Sequence, residues 1–281
     1  MKSILQLSCF VFVLSIFACN NAPEKKQENV VAHKPSADFS SDEAKLLKIS
    51  SKVSYYAINY SDSLAYFSNQ FKDQFIQLIA SNPATFDDDF KMLKDSNICF
   101  INTSQDGKLK IYSWDDGTGG SMRYFRNIYQ WKANGKVFTK VPQYADDDAA
   151  GFCKAIFSVS INNQPYYLVL NNSIYSGRSL EQSIDAFKIE GDNLNDSAKV
   201  FKTKTKELSN LKVDYDPFTI EDENKQPSEM IEYNDSTKTV YVTVTDKEGK
   251  VFGKRLKYQL KDKFFEYEGI EDWKGKSRPN P

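Results

Sequence analysis

Asn97 to Lys140 reads NICFINTSQDGKLKIYSWDDGTGGSMRYFRNIYQWKANGKVFTK. Four short runs rich in Ile, Phe, Tyr, Trp and Val are separated by Asp106-Gly107, by Asp115-Asp116-Gly117-Thr118-Gly119-Gly120 and by Asn134-Gly135. Asp-Gly and Asn-Gly supply the positive φ angles that tight hairpin turns require, so the stretch predicts a four-stranded antiparallel meander. Similar patterns recur further on. Cys153–Ser160, Tyr166–Asn171 and Ser183–Glu190 are strand-like, with turn signals at Asn162-Asn163 and Gly191-Asp192. A third block holds Val240–Thr245, Val251–Leu260 and Phe264–Tyr267. Blocks of short strands about 40 residues apart resemble propeller blades. The Trp-Asp and Gly-His signatures of WD repeats are absent. A sandwich or stacked antiparallel sheets accommodates the same pattern.

The residues before the meander carry a different period. Ser40 and Glu43 have the spacing of a capping box. Leu46, Ile49, Val53, Tyr56 and Ala57 then recur at helical intervals. A second helix starts at Asp62, carries Leu64, Phe67, Phe71, Phe75 and Leu78 on one stripe, and ends at Asn82-Pro83. Phe86, Phe90 and Leu93 mark a short third helix. The expected class is therefore α+β and β-dominated. One globular domain spans 40–281, helical over 40–94 and β-rich over 97–268.

The first eighteen residues do not belong to that domain. Lys2 precedes a largely apolar run from Ile4 to Ala18, which is too short to span a membrane, where about 20 apolar residues are needed. It suits the apolar region of a secretory signal. Ile16-Phe17-Ala18-Cys19 resembles the lipobox of bacterial lipoproteins. That resemblance covers residues 1–19 only. It implies cleavage before Cys19, a diacylated Cys19 sulfur and a lipid anchor in the cell envelope. The lack of Asp at position 20 implies the outer rather than the inner membrane. Residues 19–39, polar and charged with two prolines, read as the lipidated cysteine and a disordered tether.

Composition restricts the chemistry. The chain is 40% hydrophobic with a net charge of −1, which supports a sizeable core and no nucleic-acid footprint. Lysines alternate with acids along the strands, as on solvated faces. The only histidine, His33, lies in the tether, so the domain has no imidazole base for Ser-His-Asp or Cys-His nucleophiles and no zinc ligand set. No phosphate-cradling glycine loop is present, and no nucleotide or other cofactor is implied. Cys99 and Cys153 remain in the domain and are candidates for a disulfide in an exported protein.

The candidate binding residues are polar and lie in loops. Asp115 and Asp116 beside a glycine-rich backbone, followed by Arg123, form the most suggestive set, read either as a Ca²⁺ loop or as a plain turn. Asp146-Asp147-Asp148 reads as a solvated loop, and Arg178 is a candidate partner for an anion. Trp114, Trp131, Tyr166 and Tyr167 are either core or sugar-stacking surfaces. No metal site and no catalytic residue is assigned. The functional expectation is a non-catalytic envelope lipoprotein that binds a protein or glycan partner. The alternative is a carboxylate-based hydrolase acting on glycans.

Overall fold

The structure, a computed structural model, describes residues 37–59, 62–145, 148–219 and 229–273. The signal, Cys19, His33, most of the tether and the Asp146-Asp147 pair lie outside the described residues.

Helix α1 (Ser40–Ile58) and helix α2 (Ser63–Ser81) are followed by a 3₁₀ turn (Pro83–Asp87) and a short helix α3 (Lys91–Asp95). The expected capping box does not form. Ser40 lies inside the helix, and Glu43 is buried with its carboxylate accepting the Leu93 amide at 3.0 Å. It thereby satisfies an orphan N–H in the first turn of α3. Phe39, assigned to the tether by composition, is buried and stacks on Phe90 with centroids 6.0 Å apart.

The strands are β1 (Cys99–Thr103), β2 (Leu109–Asp115), β3 (Phe125–Ala133), β4 (Lys136–Lys140), β5 (Phe152–Ile161), β6 (Gln164–Ser176), β7 (Ser179–Glu190), β8 (Asn193–Asn195), β9 (Phe201–Lys202), β10 (Glu207–Leu208), β11 (Asn210–Tyr215), β12 (Ile231–Asn234), β13 (Thr239–Thr245), β14 (Val251–Lys261) and β15 (Phe264–Asp272). The first sheet is the expected meander, β1-β2-β3-β4, with Cys99 opposite Trp114 and Leu109 opposite Trp131. Asn134 and Gly135 take φ of 48° and 72°, the two positive values that a type I′ turn demands. Asn162 and Asn163 turn the β5–β6 hairpin in the same way, at 49° and 58°.

Four-stranded blades do not follow. The second sheet runs β11-β7-β6-β5 with β8 added to β7, and the third runs β10-β9-β15-β14-β13-β12, with β15 and β9 parallel. The strands between 193 and 215 are shared between two sheets, so the 40-residue spacing does not mark separate units. The sheets instead stack as layers. Leu168, Leu170 and Ile184 of the second sheet share one core cluster with Ile231, Val240 and Phe265 of the third. On the opposite face of the second sheet, Tyr167, Val169 and Phe187 pack with Leu109, Ile111 and Trp131 of the first. The other face of the first sheet, with Ile101, Tyr112 and Trp114, buries Phe71, Phe75 and Phe90 from the helical layer. Burying each such side chain contributes roughly 1.5–3 kcal/mol relative to leaving it exposed.

A strand buried on both faces loses its polar alternation. That is why β2 is buried at every position from Leu109 to Trp114, and β6 from Tyr167 to Leu170. It also separates the two cysteines. Cys99 points into the helix-facing cluster and Cys153 into the cluster between the first and second sheets; both are free buried thiols, and the candidate disulfide is not formed. Burial raises the pKa of each thiol, so neither is a ready nucleophile.

Candidate functional site

The β2–β3 connection is built by its two aspartates. Asp115 Oδ1 accepts the Gly117 amide at 2.9 Å, and Asp116 Oδ1 accepts both the Thr118 amide at 2.9 Å and its hydroxyl at 2.5 Å. These are side-chain-to-backbone turns of the kind Asp favours. The second oxygen of each carboxylate meets a guanidinium: Asp115 Oδ2 lies 3.2 Å from Arg123 and Asp116 Oδ2 lies 2.8 Å from Arg126. Gly117 supplies a φ of +75°, and a Cβ at Gly119 would lie 2.0 Å from the Met122 carbonyl oxygen. The Arg123 amide donates to Ile174 O at 2.9 Å, anchoring the loop to β6. Burial raises the pKa of Asp115, opposed by the Gly117 N–H and by Arg123.

Asp115, Asp116 and Arg123 line a cavity of about 350 Å³ against Val53 of α1, Phe71 of α2 and Trp114 of β2. Ile58, 77% exposed, forms part of its rim, and Tyr55 and Tyr66 are exposed on the same two helices. Three of the four residues singled out by sequence therefore meet in one cleft. Arg178 does not join them. It sits at the β6–β7 turn, where Nε and Nη2 lie 2.9 and 2.8 Å from Asp216 Oδ2 and the guanidinium packs 5.8 Å from the Phe218 ring. The Phe218 amide first, and Arg178 second among the favourable contacts, hold the Asp216 carboxyl below its usual range. Arg178 therefore ties a hairpin to the end of β11.

Among the described residues, no group of three or more His, Cys, Asp or Glu is placed to hold a metal ion. Trp114, Trp131 and Tyr167 are core residues, while Tyr166 is half-buried beneath the Lys188 ammonium.

A second cleft, of about 300 Å³, was missed by sequence reading. Its floor is the polar end of the second sheet, including Asn171, Asp185 and Lys212, and its wall includes Asn127, Tyr129 and Tyr144. The signal was present as polar residues at every second position of β6 and β7. Polar alternation at this point makes the expected strands stop at Asn171 and resume at Ser183, five residues short of the end of β6 at Ser176 and four past the start of β7 at Ser179.

No protein-family model matches the chain, and no curated protein matches it.

Proposed function

We propose that this chain is a non-catalytic binding domain, held at the bacterial envelope by a lipid on Cys19 in the outer membrane. The lipobox-like Ile16-Phe17-Ala18-Cys19 supports the address. The observation that carries the binding reading is the β2–β3 loop: every carboxylate oxygen of Asp115 and Asp116 is engaged by its own backbone, hydroxyl or arginine partner. Carboxylates engaged in this way are committed to shaping the loop. The apolar rim at Ile58, with Tyr55 and Tyr66 exposed nearby, is surface that a partner would cover.

A carboxylate-based glycan hydrolase is the second reading. It draws support from the raised pKa of Asp115, since a raised carboxyl is the ordinary general acid of that chemistry. Hydrolysis needs an acid and a second carboxylate facing each other across a bond, at about 5–9.5 Å. Asp115 and Asp116 are chain neighbours locked into one turn and face no third carboxylate in the cavity lining.

Incubating the mature protein with isolated envelope glycan separates the two readings. Co-sedimentation without release of new reducing ends is expected. Release of reducing ends that Asp115→Asn abolishes would contradict the binding reading.

A further inference from the structure

The face of the second sheet that looks toward the first sheet changes character along its strands. On β6 it carries Tyr167 and Val169, then Asn171, Ser173 and Tyr175; on β7 it carries Phe187, then Asp185, Ser183 and Glu181. The apolar half is covered by Leu109, Ile111 and Trp131. The polar half floors the 300 Å³ cleft, with β3, Tyr144 and the 148–151 segment as its wall. An interface between packed sheets stays apolar where it is closed. A concave polar extension of the same face is the arrangement of a ligand site, at the lower end of the usual pocket range of about 300–1,000 Å³.

The polar groups are held in place. Asp185 accepts Asn171 Nδ2 at 2.8 Å, Ser183 Oγ at 2.7 Å and Asn210 Nδ2 at 3.1 Å. Glu181 pairs with Lys212 at 2.8 Å, Asp196 with Lys140 at 2.5 Å, and Asp148 takes the Ala150 amide at 2.8 Å. Asn127 Nδ2 donates to the Tyr144 hydroxyl at 2.7 Å and to Gly151 O at 3.0 Å. Tyr129 hydrogen-bonds Tyr144 in turn, and burial keeps both phenols protonated.

We propose that this cleft binds a neutral, polyhydroxylated ligand, a short saccharide. Each carboxylate already has a donor or a cation, so the cleft is not an unpaired charge sink for metals or amines. What remains open is a set of second lone pairs on Asp185, Ser183 and the asparagine carbonyl oxygens, which sugar hydroxyls satisfy by donation. Tyr129, Tyr144 and Tyr175 line the same cleft, amphipathic residues of the kind that meet a sugar's apolar side and hydroxyls together. Four carboxylates against the single Lys212 ammonium exclude an anionic glycan. Glu181 and Asp185 stand four residues apart on one strand, about 13 Å between backbones. That exceeds the separations of glycosidase pairs, about 5–9.5 Å, so Glu181 and Asp185 are not spaced as such a pair. The site is separate from the β2–β3 cavity, though the inference rests on the same reading of the chain as a binding domain.

Calorimetric titration of the mature protein with cellotetraose, chitotetraose, maltotetraose, tetragalacturonate and spermidine tests it. One neutral tetraose should saturate at one per chain, with an affinity insensitive to salt. Asp185→Asn should weaken it at least tenfold, and Tyr144→Phe by a smaller factor, with thermal midpoints close to the parent's. Failure of all three neutral sugars overturns the proposal, as does binding only of tetragalacturonate or of spermidine. Saccharide binding unchanged by Asp185→Asn and Tyr144→Phe but lost in Ile58→Glu would move the ligand to the β2–β3 cavity. That result would sink the cleft and leave the binding-domain reading standing.

Discussion

Lys110 lies on the helix-facing side of β2 at 2% exposure and donates to the Phe86 carbonyl at 3.1 Å, to Thr85 at 3.4 Å and to Asp88 O. Its ammonium also sits 5.2 Å from the Tyr112 ring. Burial lowers its pKa to about 8 against the nearby carboxylates of Asp89, Asp88 and Asp87, which oppose the shift. Between pH 8 and 10.5 the unfolded chain therefore holds a proton on this lysine that the folded chain has lost. Stability rises with pH where the unfolded state binds more protons, so Lys110 adds a positive slope that approaches about 1.4 kcal/mol per pH unit. Buried Cys99 and Cys153 act in the opposite sense above pH 9, and buried Tyr112 above pH 10, because each keeps its proton only in the fold. The clean window is pH 8–9. Denaturant unfolding across it should show wild-type protein gaining about 1 kcal/mol relative to Lys110→Met; parallel curves would mean that Lys110 stays charged in the fold. Sequence could not reveal this residue. Lys108 and Lys110 read alike, and only the helical layer packed over β2 distinguishes the buried one from the exposed one.

At the scale of elements, alternation and turn chemistry made the meander of β1 to β4 legible, including its Asn134-Gly135 turn. The boundaries of β6 and β7 were not legible, because their outer halves are polar on a face that elsewhere is core. The start of the domain was also misplaced by one residue that matters. The Phe39 carbonyl accepts the Asp42 and Glu43 amides at 2.9 Å each, and its ring packs on Phe90. Phe90 itself is fully buried with a φ of +46°, a costly angle for a bulky residue, and Asp88 Oδ1 holds its amide at 2.7 Å. Composition alone treats a phenylalanine after a polar run as part of the run. Phe39→Ala should cost about 3–5 kcal/mol, and each kcal/mol moves the thermal midpoint by roughly 2–4 °C at this size. An unchanged midpoint would place Phe39 with the tether after all.

At the largest scale, the described domain is a stack in which the helical layer covers the first sheet, and the first and third sheets cover opposite faces of the second. The α+β, β-dominated class was legible from periodicity. The stacking was not, because β9 and β10 are only two residues each and β11 alternates Leu211 and Val213 with polar residues, and these strands decide how the later sheets are assembled. Of the site, Asp115, Asp116 and Arg123 were legible as a glycine-rich acidic turn, whereas the polar cleft depends on residues brought together from β3, β6, β7 and β11. The central claim is that this stack is a binding domain hung from an envelope lipid, since acyl chains together give stable anchoring where one alone is marginal. Mass spectrometry of the amino-terminal peptide from the membrane-bound protein tests it most directly. The account predicts that residues 1–18 are absent and that Cys19 is the new amino terminus, with a diacylglyceryl thioether on its sulfur and an acylated amine. An unmodified Cys19, or a mature terminus at any other residue, would contradict it.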